Sequence, residues 1–242
     1  MIETTGGRVS GLSLFYPMYN EEGNIEEAVA RALRVLPTLA EEFEIIVVND
    51  GSRDRTRELA ESLAAAHPEV RAVHHPVNRG YGAALRSGIA ASRFEWIFYT
   101  DGDNQFDLEE IPRLLRLREQ AEIVTGYRSP RSDPFVRRLN AAGFNLLCWA
   151  LLGIHLRDID CAFKLFRASI FQGMELRANG ATIDLEILAR ARRRGARMIE
   201  RPVRHLPRLY GEQSGANFKV IARAFRELFL LWRELGWWRG GR

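Results

Sequence analysis

The chain has 242 residues, 46% of them hydrophobic and 27% charged, with a formal net charge of +4. This composition excludes a disordered tail, a collagen-like repeat and a disulfide-stapled mini-domain, and the length suffices for one large α/β domain or two small ones. All but two of the 35 basic residues are arginine, the exceptions being Lys164 and Lys219, and so modest a balance permits an anionic partner without requiring nucleic acid.

Taken in chain order, the first half alternates short apolar runs with helical patterns. Leu12–Tyr16 reads as a buried strand ending at Pro17, and Asn20 is placed to cap a helix running to about Leu36 with Ile25, Val29 and Ala32 on one face. Phe43–Val48, Val70–His74, Phe94–Tyr99 and Glu122–Thr125 read as further strands. Helices are predicted over Asp54–Ala66, Tyr81–Ala91 and Leu108–Arg118. Strands separated by helices imply parallel pairing with right-handed crossovers.

The second half differs. Pro130–Pro134 reads as a loop, Phe135–Ile154 as apolar helix, Cys161–Phe166 as a strand, Leu185–Arg194 as a basic helix and Met198–Pro202 as extended chain. The tail, Phe218–Trp238, carries Phe218, Ile221, Phe225, Leu228, Trp232 and Leu235 at near-helical spacing. Leu139–Leu156 carries no formal charge, but Asn140, Asn145, Gly143, Gly153 and His155 argue for a buried or interfacial helix pair over a membrane span. No apolar run follows a basic start at the N-terminus, so no secretory signal is expected. Cys148 and Cys161 fit neither a disulfide framework nor a zinc site and read as buried apolar residues in a reducing compartment.

The segment Asp101-Gly-Asp103-Asn-Gln105 follows an apolar strand. Residues two apart on extended chain point the same way, so Asp101, Asp103 and Gln105 can line the carboxyl edge of the sheet, where ligands of open α/β folds sit. Two carboxylates there repel unless a cation or donor lies between them, and hard oxygen ligands suit Mg²⁺ or Mn²⁺ bridging to substrate phosphates. Pro17-Met-Tyr-Asn-Glu21, Asp50-Gly-Ser52 and Asn78-Arg-Gly-Tyr-Gly82 fall at three other strand ends, on the same expected edge. Together these four turns point to a nucleotide-binding crevice. Ordinary turn chemistry is the alternative for each turn taken singly.

The ordered set of motifs resembles glycosyltransferase family 2, in particular the dolichol-phosphate mannosyltransferases and bacterial polyprenyl-phosphate glycosyltransferases. Gly126-Tyr-Arg128 and Arg208-Leu-Tyr-Gly211 extend the likeness, which covers roughly residues 10 to 215. Two departures stand out: Asn49 occupies the first slot of a motif that commonly reads Asp-Asp-Gly-Ser, and Ala162 replaces the usual glycine in Asp158-Ile-Asp-Cys-Ala-Phe-Lys164. The resemblance implies an A-type α/β fold, a Rossmann-like, mostly parallel sheet flanked by helices, with residues 1–215 as the catalytic domain; separately, the apolar spacing of the tail reads residues 216–242 as an amphipathic C-terminal helix contacting a membrane interface or a second copy of the chain.

It also implies roles. Pro17, Tyr19 and Glu21 would frame the nucleoside, Asp50 would accept hydrogen bonds from base or ribose, and Asp101 would sit near ribose and metal. Asp103 and Gln105 would join Asp101 in holding Mg²⁺ or Mn²⁺ at the diphosphate. Arg128, Arg137 and Arg208 would receive the acceptor phosphate, with Asp158 orienting an arginine, since guanidinium forks suit phosphate. Asp103, Arg128 and Arg208 are the expected catalytic groups. The expected reaction is inverting hexose transfer from a nucleotide-diphosphate sugar, of the GDP-mannose or UDP-glucose type, to a polyprenyl phosphate. The expected location is cytoplasmic, peripheral on the inner face of the cell membrane, with a homo-oligomer as the other use of the tail. The alternative acceptor is a hydroxyl, with Asp184 as general base. A dehydrogenase would need Gly-x-Gly-x-x-Gly after the first strand, and Gly80-Tyr-Gly82 opens the third helix instead. No nucleic-acid recognition motif accompanies the arginines Arg190–Arg197.

Overall fold

The computed structural model describes residues 7–129, 135–207 and 218–236, and for residues 135–142 and 218–224 the backbone alone. Seven strands, β1 (Val9–Met18), β2 (Ala40–Asn49), β3 (Val70–His74), β4 (Trp96–Thr100), β5 (Ile123–Arg128), β6 (Phe163–Arg167) and β7 (Met198–Val203), form one sheet in the order β3-β2-β1-β4-β6-β5-β7. The helices are α1 (Ile25–Val35), α2 (Thr56–Ala66), α3 (Tyr81–Ala91), α4 (Ile111–Leu115), α5 (Phe135–Leu152), α6 (Ile183–Arg193) and α7 (Phe218–Leu235). β1 to β4 pair in parallel, β6 runs antiparallel to both β4 and β5, and β7 pairs in parallel with β5.

Most of β1 and β2 and all of β4 are buried, as expected of strands covered on both faces, and apolar runs such as Ile45–Val48 therefore show no in–out alternation. Strand order reverses between β1 and β4, which places the crevice of an open α/β sheet at their carboxyl ends. β3 and α3 have the bounds read from the sequence. Other elements differ for identifiable reasons. Asn20 does not cap α1: it takes φ +56° and its side chain accepts from Arg53 N at 2.8 Å, and the helix begins only at Ile25. The helix expected over Leu108–Arg118 shrinks to a 3₁₀ turn, Leu108–Glu110, and the short α4, after which Leu117, Arg118 and Gln120 make tight i→i−3 bonds.

Leu139–Leu156 forms no helix pair. It is shared between α5 and the turn beyond it, where Gly153 at φ +70° donates to Trp149 O at 2.9 Å. Among the described residues no helix is long and apolar enough to cross a membrane. The sheet is mostly parallel, as expected, and β6 is the antiparallel exception, entering from the same edge at which β4 and β5 end. Pro130–Pro134 lies outside the described residues. Both cysteines are buried and free, and burial pushes their thiols up, away from thiolate chemistry.

Candidate functional site

The expected site residues whose side chains are described fall at the carboxyl ends of β1, β2, β4 and β5, on one edge of the sheet. β4 delivers Asp101 and Asp103 beside β1, where Gly102 lies against the Met18 side chain: a Cβ there would come within 2.7 Å of Met18 Cε, which would have to shift. Asn104 takes φ +60° and donates to Asn24 O at 3.0 Å, tying the turn to the start of α1. On the other side Leu206 N donates to Gln105 O at 2.7 Å, and Gln105 Nε2 donates to Leu206 O at 3.0 Å. Asp103 Oδ1 accepts from Gln105 N at 3.1 Å.

Burial, with Asp103 beside it, pushes the Asp101 carboxyl up to about 7. Two adjoining carboxylates that resist joint ionisation are a donor set that a hard divalent cation relieves. Gln105 keeps its amide oxygen as a further acceptor, since its Nε2 is the atom spent on Leu206. Among the described residues no cluster of three or more His, Cys, Asp or Glu side chains could enclose a metal, so other ligands would have to come from phosphate and water. These residues fit Mg²⁺ or Mn²⁺ shared with a diphosphate.

The turns beside this one are interlaced. Asn20 N donates to Ser52 Oγ at 2.9 Å, Glu21 N to Thr56 Oγ1 at 2.9 Å, and Arg55 N to Glu22 Oε2 at 3.0 Å. Pro17 is buried within β1, Tyr19 is exposed, and Glu21 accepts from Asn24 Nδ2 at 2.6 Å. Asp50 is buried and engaged by its own chain: it accepts from Arg79 N at 2.9 Å and Gly80 N at 2.8 Å, and pairs with His75 Nδ1 at 2.6 Å. Its carboxylate thereby shapes the turn that opens α3. Asn49 serves both of its neighbours, accepting from Ser52 N at 3.0 Å while its amide nitrogen meets His74 Nδ1 at 3.2 Å. The departure from aspartate thus supplies a donor that a carboxylate lacks. Gly82 N donates to Asn179 O at 2.9 Å, and a Cβ on Gly82 would meet Ala178 O at 2.3 Å, so residues 178–179 close directly over the start of α3.

Beneath the acidic turn lies a buried polar group that the sequence reading missed. Lys164 is completely buried; its Nζ donates to Asp184 Oδ1 at 2.8 Å, to Tyr99 Oη at 3.2 Å and to Cys161 O. Tyr99 Oη also donates to Asp184 Oδ1. Tyr81 Oη donates to Asp101 Oδ1 at 3.0 Å. The signal was present, since a lysine in the middle of an apolar strand requires a buried partner.

Across the edge, Arg128 at the end of β5 forms a two-pronged pair with Asp158, Nε to Oδ2 and Nη2 to Oδ1, both 2.8 Å, and Arg128 N donates to Oδ2 at 3.2 Å. Asp158 therefore does orient this arginine. Arg208 lies outside the described residues, as does the side chain of Arg137. α7 is fastened to α6 and its leading loop by Thr182 Oγ1 donating to Glu227 and by Arg190 Nη2 donating to Glu234 Oε1 at 2.8 Å. Leu146, Leu147 and Trp149 of α5 and Phe225, Phe229 and Leu230 of α7 are exposed.

A family model described as glycosyl transferase family 2 matches residues 13–174. Among curated relatives, an undecaprenyl-phosphate 4-deoxy-4-formamido-L-arabinose transferase from Edwardsiella ictaluri is 32% identical over 213 residues, covering 87% of this chain and 64% of its own. A dolichyl-phosphate beta-glucosyltransferase from Trichomonas vaginalis is 32% identical over 229 residues, covering 86% and 68%. The chain thus spans 64% of the first relative's length and 68% of the second's. Among solved structures, glucosyl-3-phosphoglycerate synthase from Mycobacterium tuberculosis, in complex with Mn²⁺, UDP-glucose and phosphoglyceric acid, superposes with a TM-score of 0.69 at 18% identity, covering 95% of this chain and 81% of that one. The same enzyme with Mg²⁺ and UDP gives 0.69 at 19% identity, covering 94% and 80%. That likeness carries the A-type glycosyltransferase fold, and the sequence match carries the family: the chain belongs to glycosyltransferase family 2.

Proposed function

We propose that this chain catalyses the inverting transfer of a hexose from a nucleotide-diphosphate sugar, of the GDP-mannose or UDP-glucose type, to a polyprenyl or dolichyl phosphate. The observation that carries the reading is the pairing of Asp101 and Asp103 at the β1–β4 reversal with an aspartate-held arginine, Arg128, on the same edge. Asp101, Asp103 and Gln105 would hold Mg²⁺ or Mn²⁺, and that cation would supply charge neutralisation for the nucleoside diphosphate leaving group. Pro17, Tyr19 and Glu21 frame the nucleoside, and Asp50 acts by holding the Arg79 and Gly80 amides in place. Arg128, with Arg137 and Arg208, receives the acceptor phosphate. A phosphomonoester loses its second proton near pH 6 (pKa about 6), so the attacking oxygen is already anionic at neutrality and orientation replaces a general base. The names of the curated relatives support a polyprenyl-phosphate acceptor.

The hydroxyl-acceptor reading needs Asp184 as a base. That carboxylate is buried against Lys164 and Tyr99, which argues against it as the group that meets an incoming hydroxyl. In the proposed division, residues 1–215 are catalytic and 216–242 are amphipathic. The exposed apolar side chains of α5 and α7, beside exposed Arg226 and Arg233, favour peripheral contact with the cytoplasmic face of the membrane over a homo-oligomer.

The test offers labelled GDP-mannose and UDP-glucose with Mn²⁺ to a short polyprenyl phosphate and to the matching polyprenol. Transfer to the phosphate alone, with inverted anomeric configuration by NMR, is expected. Transfer to the polyprenol at a comparable rate would refute the base-free mechanism.

A further inference from the structure

We propose that Asn104 is a positioning residue for the cation site: its side chain, hung on the Asn24 carbonyl, holds the backbone turn that aims Asp103 and Gln105. This rests on the assignment of Asp103 and Gln105 as metal ligands. Asn104 lies between the two and takes φ +60°. The hydrogen bond from Gln105 N to Asp103 Oδ1, 3.1 Å long, spans it. The direction of the Gln105 amide is therefore set by the backbone at Asn104, and the Asp103 carboxylate follows that amide. A residue with a side chain stays in the left-handed region at a cost, so something must hold it there.

The hold comes from α1. Asn104 Nδ2 donates to Asn24 O at 3.0 Å. That carbonyl is a fixed point. Asn24 is buried, its O also accepts from Ala28 N at 3.0 Å, and its Nδ2 donates to Glu21 Oε2 at 2.6 Å. Further along α1, Arg31 Nη1 donates to Asn104 O at 3.5 Å, and its Nη2 lies 3.7 Å from Asp107 Oδ1. On the far side the two bonds between Gln105 and Leu206 grip the turn. The turn is thus clamped at both ends, and Asn104 is the member of the clamp that sits between the ligands. A hydrogen bond that orients a ligand changes metal affinity more than it changes the stability of the fold.

The experiment titrates Mn²⁺, followed by EPR, into the full chain with bound UDP or GDP, whichever the wild type binds. Asn104→Gly and Asn104→Ala are compared with the wild type. Nucleotide affinity in EDTA and thermal stability are measured alongside. Glycine keeps φ +60° without strain and loses only the side-chain bond, whereas alanine loses the bond and keeps the strain. The alanine variant is therefore expected to melt lower than the glycine variant. Both are expected to bind Mn²⁺ about five-fold more weakly, the worth of one hydrogen bond. The Glu21–Asn24 bond does not depend on Asn104, so nucleotide affinity in EDTA is expected to stay unchanged. Wild-type Mn²⁺ affinity in either variant overturns the positioning role. So does an equal fall in metal-free nucleotide affinity, which would mark a general loosening of the site. No Mn²⁺ binding by the wild type overturns the metal assignment, and the positioning role with it.

Discussion

Asp158→Asn removes the charge that holds Arg128 while keeping nearly the same shape. Arg128 is 16% exposed and Asp158 5%, and the pair has two bonds of 2.8 Å. Breaking a buried pair costs about 3–5 kcal/mol, and the partial exposure of Arg128 together with the acceptor oxygen kept by asparagine reduces this to about 2 kcal/mol. For a chain of this length that is about 4–8 °C in Tm. The functional effect is separate. An arginine released from its partner regains rotamer freedom worth about 1.5–2 kcal/mol, which must be surrendered again on binding the acceptor phosphate. KM for polyprenyl phosphate is therefore expected to rise about tenfold, with KM for the nucleotide sugar unchanged. Steady-state kinetics in both substrates and a thermal melt measure this. In an Arg128→Gln background, Asp158→Asn should change the acceptor KM little further. An unchanged acceptor KM in the single variant, or additive effects in the double, would refute the argument.

Gly82→Ala drives a methyl into the Ala178 carbonyl, and the residue 178–179 segment must withdraw; a loss of about 2 kcal/mol and weaker nucleotide binding are expected, read by melting and by calorimetry with UDP or GDP. Glu122 is held down to about 2 by Arg197, so its contribution to stability is present above the ordinary glutamate range and is lost as pH falls toward 2; Glu122→Gln should therefore melt lower than wild type at pH 6, and the two should converge near pH 2. Because Asp101 is pushed up to about 7, protons compete with the cation: Mn²⁺ affinity in the presence of UDP or GDP should fall as pH drops from 8 to 6, and a flat profile would contradict the assignment.

The readable parts of this fold are those whose signals are local. β3 and α3 are bounded by His74 and by the Gly80 turn, and both were placed to the residue. The acidic turn was legible because it follows directly on an apolar strand; Asp101 and Asp103 nevertheless lie in the turn beyond Thr100, so the turn, and not the period-two alternation of extended chain, sets their directions. Strand direction was not legible. Nothing within Phe163–Arg167 states that it runs against β4 and β5, because that depends on where α5 returns the chain. The helix over Leu108–Arg118 failed because the apolar spacing there is met equally well by tight 3₁₀ turns. Asp50 was placed at the correct strand end, but its engagement with His75, Arg79 and Gly80 depends on how distant backbone amides converge, which no motif encodes. Lys164 and Asp184 are 20 residues apart and meet only through the packing of β6 against α6.

The central claim is that a divalent cation at Asp101 and Asp103 grips a sugar donor's diphosphate. Thermal shifts for a panel of nucleotide sugars, with and without Mn²⁺, on wild type and Asp103→Ala test it most directly. The account predicts stabilisation of the wild type by one donor, strongly enhanced by Mn²⁺, and loss of that enhancement in Asp103→Ala. Stabilisation indifferent to Mn²⁺, or an enhancement that survives in Asp103→Ala, would contradict it.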